Sequence, residues 1–240
     1  MNNNTKKGLI AVLVVFLILL LDQLLKIWVK TTMSLSETID ITSWFKLHFV
    51  ENRGMAFGIE AFGKEAFGKL SLSLFRIAAV VAIAIYLTKL VRQSYKMGFI
   101  VCIALILAGA SGNIIDSVFY GEFFSASTEP VVNSLGNIVV PGQVATFVPL
   151  GEGYSSWLHG KVVDMLYFPL INTTLPDWVP IWGGEKILFF RFIFNVADSA
   201  ITVGVLLLLF FYRKTLSYSL LSKSEREKLE KEKLEKENDE

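Results

Sequence analysis

Cysteine and histidine are scarce in this chain of 240 residues. Its one cysteine, Cys102, cannot close a disulfide within the chain or build a Cys-rich metal site. Two histidines, His48 and His159, are thin material for zinc or haem, and no cofactor is expected. Charge is scarce too, at 19% of residues against about 25% in soluble domains. Net charge is +1 with no basic stripe, so nucleic acid is not an expected partner. What fills the chain is apolar: 53% of it is hydrophobic, above the roughly 45–50% of soluble domains, which points to a membrane protein.

Four runs reach the length of about 20 residues that a helix needs to cross a bilayer core, at about 8–29, 70–87, 97–117 and 191–212. The expected fold is a polytopic α-helical membrane protein with four transmembrane helices. Lys6 and Lys7 give the first run the look of a signal peptide, but no small-x-small cleavage site follows, so it is read as retained. Lys6 and Lys7, then Lys89, Arg92 and Lys96, then Arg213 and Lys214 mark one set of span ends as cytoplasmic, which puts both termini there. Lys46, Arg53, Lys64 and Lys69 dilute this bias on the outer side.

Two outer segments are left, 31–69 and 118–186. The first holds FKLHFVENRGMAFGIE, β-formers punctuated by Gly54 and Gly58, and reads as a small β-rich cradle on the membrane surface. The second is a long outer loop rich in Gly, Pro and aromatic residues. Residues 1–216 form the four-span unit, and 217–240 are a charged cytoplasmic tail, nearly all Glu and Lys and read as solvated.

The spans are interrupted by polar residues. An ionisable group in hydrocarbon costs roughly 2.5–3.5 kcal/mol by insertion scales, so such residues face a bundle interior and need partners. Asp22 and Lys26 are four apart on one face of the first span, placed for an ion pair. GASGNIID, 109–116, ends the third span with small residues that permit close helix approach, and with Asn113 and Asp116 three apart near the outer surface. Asp198 has two candidate depths. A fourth span starting at Ile187 buries it about 16 Å deep; a start at Arg191 leaves it about 10 Å in, within reach of water, and is preferred because the arginine suits the interface. Asp164, in GKVVDMLYFP of the outer loop, is a second candidate carboxylate, although its spacing from Asp198 does not prove contact. Two carboxylates brought close share one proton, so one can activate water while the other donates to a carbonyl.

DQLLK at 22–26, NRGMAFG at 52–58, GASGNIID at 109–116, VVDMLYF at 162–168 and FNVADSAI at 194–201 follow one another in an order that resembles the bacterial lipoprotein signal peptidases, or signal peptidase II. The resemblance covers about Leu9 to Tyr212. It implies an aspartic endopeptidase of the inner membrane, active near the outer face. The implied substrates are diacylglyceryl-modified prolipoproteins, cut just before the lipidated cysteine. The family's catalytic aspartates fall on Asp164 and Asp198, and its characteristic asparagines on Asn52, Asn113 and Asn195. Gly54, Asp116, Asp22 and Lys26 are taken as supporting residues. The expected partners are the prolipoprotein and membrane lipid, and the chain is expected to act as a monomer.

Two departures stand out. The family's GNxxDR motif has a basic residue after the aspartate, where this chain has Ser117; Arg191 is the replacement donor considered if the segment before Asn195 is helical. The stretch from Tyr120 to Gly160 is also longer than the family's usual link. A proton-coupled transporter would favour carboxylates at the midplane and internal repeats, which the sequence does not show, and the GxGD motif of presenilin-like proteases is missing.

Overall fold

The computed structural model of the chain describes residues 2–52, 65–174, 176, 178, 180, 184–189, 191–222, 224–229 and 231. Helix α1 (Asn3–Thr32) starts at Asn2, whose side chain accepts the Asn4 N–H. Its burial is the reverse of a soluble helix. Lys7, Asp22, Lys26 and Lys30 are buried, while Leu13, Phe16, Leu17, Leu21 and Leu24 are exposed. Apolar side chains turned outward around a polar interior are what hydrocarbon surroundings select.

Helix α2 (Glu65–Arg92) and helix α3 (Met97–Ile115) follow; α3 continues through a π-helical turn (Asp116–Tyr120) into the short α4 (Gly121–Phe123). Helix α5 (Val196–Phe211) and helix α6 (Arg213–Leu220) end the folded unit. Among the described residues, Asn3–Thr32, Leu70–Arg92 and Met97–Phe123 are long and apolar enough to cross a membrane, and α5 with α6, bent by 91°, counts as up to a fourth span. The polytopic helical fold read from hydropathy is therefore the fold observed. The starts of α1 and α3 and the ends of α2 and α5 lie on one side. Lys7 Nζ donates to Ser94 O at 2.8 Å and Tyr95 O at 2.7 Å, and Gly98 packs against the Tyr212 hydroxyl.

Helix α3 is the centre of the bundle. At Gly109 a Cβ would lie 2.2 Å from the Ala197 carbonyl oxygen, and at Gly112 2.7 Å from Asp22 Oδ2. The small-residue face thus brings both α5 and α1 against α3, as close packing in membranes requires.

Above the helices lies a four-stranded antiparallel sheet in the order β1-β2-β5-β8, from β1 (Thr38–Asp40), β2 (Lys46–Asn52), β5 (Val162–Tyr167) and β8 (Ile193–Phe194). Two hairpins flank it, β3 (Val131–Val132) with β4 (Ile138–Val140), and β6 (Ile171–Thr174) with β7 (Lys186–Phe189). Val163 and Met165 of β5 join Val29, Met33, Phe49 and Tyr120 in a core cluster that seats the sheet on the ends of α1 and α3. A buried ionic clamp adds to it. Lys30 Nζ lies 2.5 Å and Lys161 Nζ 2.6 Å from the two carboxylate oxygens of Glu51, which ties α1, β2 and the start of β5 together.

Boundaries in all four spans differ from the hydropathy reading, the first helix running 3–32 rather than 8–29. The third span runs on to Phe123, beyond the expected 117, because the chain stays helical through the π turn. The second span's helix extends to Arg92 rather than 87. The fourth was expected from Arg191, but the helix begins at Val196: Ile193 and Phe194 pair with Tyr167 and Leu166 as strand β8, and apolar residues at that point serve a sheet, not a span. Gly54 lies outside the described residues.

Candidate active site

Asp164 is carried by β5 opposite Val50 of β2, one residue from the buried Val163 and Met165. Strand alternation turns its side chain away from theirs, to Asn195 at the start of α5 and to Asn52 on β2. Asp198 is carried by the first turn of α5. That turn is set by Asn195, which sits in extended backbone as the N-cap and accepts the Asp198 N–H on Oδ1 at 2.8 Å. The helix starts later than either sequence reading assumed, so Asp198 lies in its first turn, three residues after the N-cap.

Two asparagines connect the aspartates. Asn195 Nδ2 donates to Asp164 Oδ1 at 2.7 Å and to Asn113 Oδ1 at 3.1 Å, and Asn113 Nδ2 donates to Asp198 Oδ1 at 2.7 Å. From the end of β2, Asn52 Nδ2 reaches Asp164 Oδ2 at 3.2 Å. The amide of Asn113 can point only one way. Lys26 Nζ donates to its Oδ1 at 2.9 Å, and an ammonium has no acceptor, so the Asn113 NH₂ is left facing Asp198.

Beneath this row lies a second group. Lys26, fully buried, pairs with Asp22 Oδ2 at 2.9 Å and Asp116 Oδ2 at 2.7 Å. Each carboxylate also holds backbone: Asp22 Oδ1 accepts the Ala197 N–H at 2.8 Å and Asp116 Oδ2 the Val163 N–H at 3.2 Å. The lower group therefore anchors the first turn of α5 and the strand of Asp164, next to the two upper aspartates. Gln23 Nε2 joins Asp22 at 3.1 Å and Asp116 at 3.0 Å, and Tyr120 donates its hydroxyl to Gln23 Oε1 at 3.1 Å. Sequence reading missed Gln23 and Tyr120. For Gln23 a signal existed, a polar residue beside Asp22 in a span; for Tyr120 none did. Among the described residues no group of three His, Cys, Asp or Glu side chains is placed for a metal ion, and Lys26 fills the position between Asp22 and Asp116.

Burial raises the Asp164 carboxyl to about 7 and the nearby Asp198 charge adds to the rise, against the opposing hydrogen bonds of Asn52 and Asn195 and the charge of Lys26. Asp164 is 4% exposed, while Asp198 is half-buried. Beside Asn113 opens a cavity of about 250 Å³ between α2, α3 and α5, lined by Phe75, Arg76, Ala110 and Ile201 among others. Arg76 is close enough to Asp198 for their charges to interact.

Arg191 does not stand over Asn195. It is exposed, in irregular chain before β8, beside Thr38, Lys46, His48 and Tyr167 on the sheet. Ser117 is buried and turns back on its own helix, donating to Asn113 O at 2.9 Å.

Of the residues picked from sequence, Asp22, Lys26, Asn52, Asn113, Asp116, Asp164, Asn195 and Asp198 all lie in this one hydrogen-bonded assembly, drawn from α1, β2, α3, β5 and α5. The profile of the family described as Signal peptidase (SPase) II matches residues 14–213. A lipoprotein signal peptidase of Porphyromonas gingivalis is 47% identical over 218 residues, which cover 90% of this chain and 88% of that one. One of Amoebophilus asiaticus is 34% identical over 199 residues, covering 81% and 74%. A bacterial membrane enzyme solved by the in meso method shares the fold, with a TM-score of 0.51 at 23% identity over 83% of this chain and 89% of that one. Apolar helices packed around a polar assembly and a match along most of the chain converge: the chain belongs to the signal peptidase II family, and is a membrane peptidase.

Proposed function

We propose that the protein removes signal peptides from diacylglyceryl-modified prolipoproteins by cutting just before the lipidated cysteine, with Asp164 and Asp198 as its catalytic pair. The observation that carries this reading is the hydrogen-bonded row Asp164–Asn195–Asn113–Asp198, in which one carboxyl keeps a proton up to about pH 7. Asp198 is the base. It stands half-buried in the first turn of α5, more open to water than Asp164. Asp164 is the acid.

In the first step Asp198 takes a proton from water as its oxygen attacks the scissile carbonyl, and Asp164 gives its proton to the carbonyl oxygen. A neutral gem-diol results. In the second step Asp198 passes its proton to the amide nitrogen, Asp164 recovers one from a diol hydroxyl, and the C–N bond breaks. The products are the signal peptide's carboxylic acid and the free amine of the lipidated cysteine. Asn113 and Asn195 keep the two carboxyls in register, and Asn52 approaches from the outer cradle.

The orientation follows from charge. Lys6, Lys7, Lys89, Arg92, Lys96, Arg213 and Lys214 sit at the ends gathered by Lys7 and Tyr212, which puts that side in the cytoplasm and the aspartates at the outer face of the inner membrane. The peptidase unit extends to Leu220 rather than 216, since Ser219 of α6 is buried and bonded to the Tyr86 hydroxyl at 2.5 Å, and the charged tail follows. The unit acts as a monomer, all the named groups coming from one chain.

The test is cleavage of a lipidated precursor, followed by gel shift, with its unlipidated form as control. Processing of the lipidated form alone is expected; equal cleavage of both forms overturns the substrate class. Asp164→Asn and Asp198→Asn variants stay folded and fail to cut, and normal cleavage by either overturns the catalytic pair.

A further inference from the structure

We propose that the β3–β4 hairpin is a lipid anchor, inserted into the boundary between headgroups and acyl chains of the outer leaflet. The segment 130–151 carries no Asp, Glu, Lys or Arg, although it is bracketed by Glu129 and Glu152 and lies outside the spans. Its apolar residues are turned outward: Val131, Val132, Ile138, Val139 and Val140 are each more than half exposed, and Leu135 is 82% exposed. Consecutive residues of a strand point to opposite faces, so both faces of this ribbon are apolar. A docking protein covers one face of a ribbon. A fluid apolar layer covers both.

Position supports the same occupant. The hairpin is rooted where α1 leaves the bundle: the Leu35 N–H donates to Thr128 O at 3.2 Å, and Gly142 packs against Ser34. Two turns back along α1, Leu24 and Trp28 are exposed and continue the lipid-facing surface of that helix. From Pro130 to Leu135 is five residues, about 17 Å at most even if fully extended, so the tip stays within reach of the interfacial layer. The tip is also rigid. Asn133 Oδ1 accepts the N–H groups of Leu135 and Asn137 at 3.0 and 2.9 Å, Gly136 takes a φ of +80°, and Leu135 is held out at the apex. In water, an uncharged two-stranded ribbon with open edges is an aggregation site, which an interfacial position removes. The anchor would hold the outer cap, through Ser36 and Glu129, at the level of the leaflet.

The experiment uses the full chain in phosphatidylethanolamine–phosphatidylglycerol vesicles. Cys102, buried in α3, is replaced by Ala, and an environment-sensitive fluorophore is attached through Leu135→Cys, with Glu152→Cys as the reference site. Quenching at 135 by brominated lipid and protection from iodide are expected, with the reverse at 152. Adding Ile138→Asp and Val139→Asp should convert the 135 signal to iodide quenching, while thermal unfolding stays unchanged because neither residue is in the core. Iodide quenching of 135 in the parent overturns the anchor. Protection from both quenchers also overturns it, by showing that protein covers the hairpin; a dependence on protein density in the vesicles then identifies a second copy.

Discussion

Four aspartates meet at the end of the bundle that the sheet covers, and they are held in two ways. Asp22 and Asp116 share one ammonium, that of Lys26, and spend their other contacts on backbone N–H groups. Asp164 and Asp198 are joined through the amides of Asn195 and Asn113. The lower pair spends its contacts on one ammonium and on backbone N–H groups, which is a holding role. The upper pair is held to each other by side-chain amides, which orient the two carboxyls. That difference also explains why the two groups are stacked: the lower one aligns the strand and helix that carry the upper one.

The contrast breaks most sharply if the upper pair is made amide. Asp164→Asn or Asp198→Asn removes a proton-transfer group and should cut turnover of lipidated precursor by roughly 10²–10⁴-fold. Their hydrogen-bonded shape is kept, so the thermal midpoint in detergent should not fall. Lys26→Met does the opposite. It leaves two carboxylates buried against each other and should cost roughly 3–5 kcal/mol of stability, read as a loss of thermal midpoint. If Lys26→Met unfolds at the parent's temperature, the lower group is not the frame of the site.

Much of this was legible in the sequence, for a physical reason. Hydrocarbon penalises charge so heavily that Asp22, Lys26, Asn113, Asp116 and Asp198 stand out within their spans, and the i,i+4 spacing of Asp22 and Lys26 gave their ion pair. The reach of Lys26 to Asp116, and of Asp22 to Ala197, depends on how the helices are set against each other, which no local pattern encodes. The start of α5 was misplaced because an apolar run does not distinguish strand from helix. A better signal lay in the same run: Asn195 with Asp198 three residues on is an N-terminal capping pattern. Arg191 as a substitute for the family's basic residue failed with that misplaced start, since it depended on helix before Asn195.

The linked effect on stability is smaller and has a definite sign. Asp164 is raised to about 7 in the folded protein from an ordinary value near 4, so the folded state holds the proton more tightly. Stability is then lost as pH rises from about 4 to about 7, and no further above that. Asp164→Asn removes this loss. The variant's gain in thermal midpoint over the parent should be larger at pH 8 than at pH 5, and an equal gain at both would show that Asp164 is not held protonated.

The finest test shifts the upper pair without disabling it. If Asp164 acts as the acid, cleavage should decline as pH passes about 7 and that proton is lost. Asn52 donates to Asp164 Oδ2 and so favours the ionised form. Asn52→Ala removes that donor, raises the Asp164 carboxyl further, and should move the alkaline limb of the cleavage profile to higher pH. Because Asn52 is exposed at the end of β2, stability should change little. A merely structural asparagine would lower the rate at every pH and leave the limb in place, whereas a limb that moves to lower pH would reverse the assignment of acid and base.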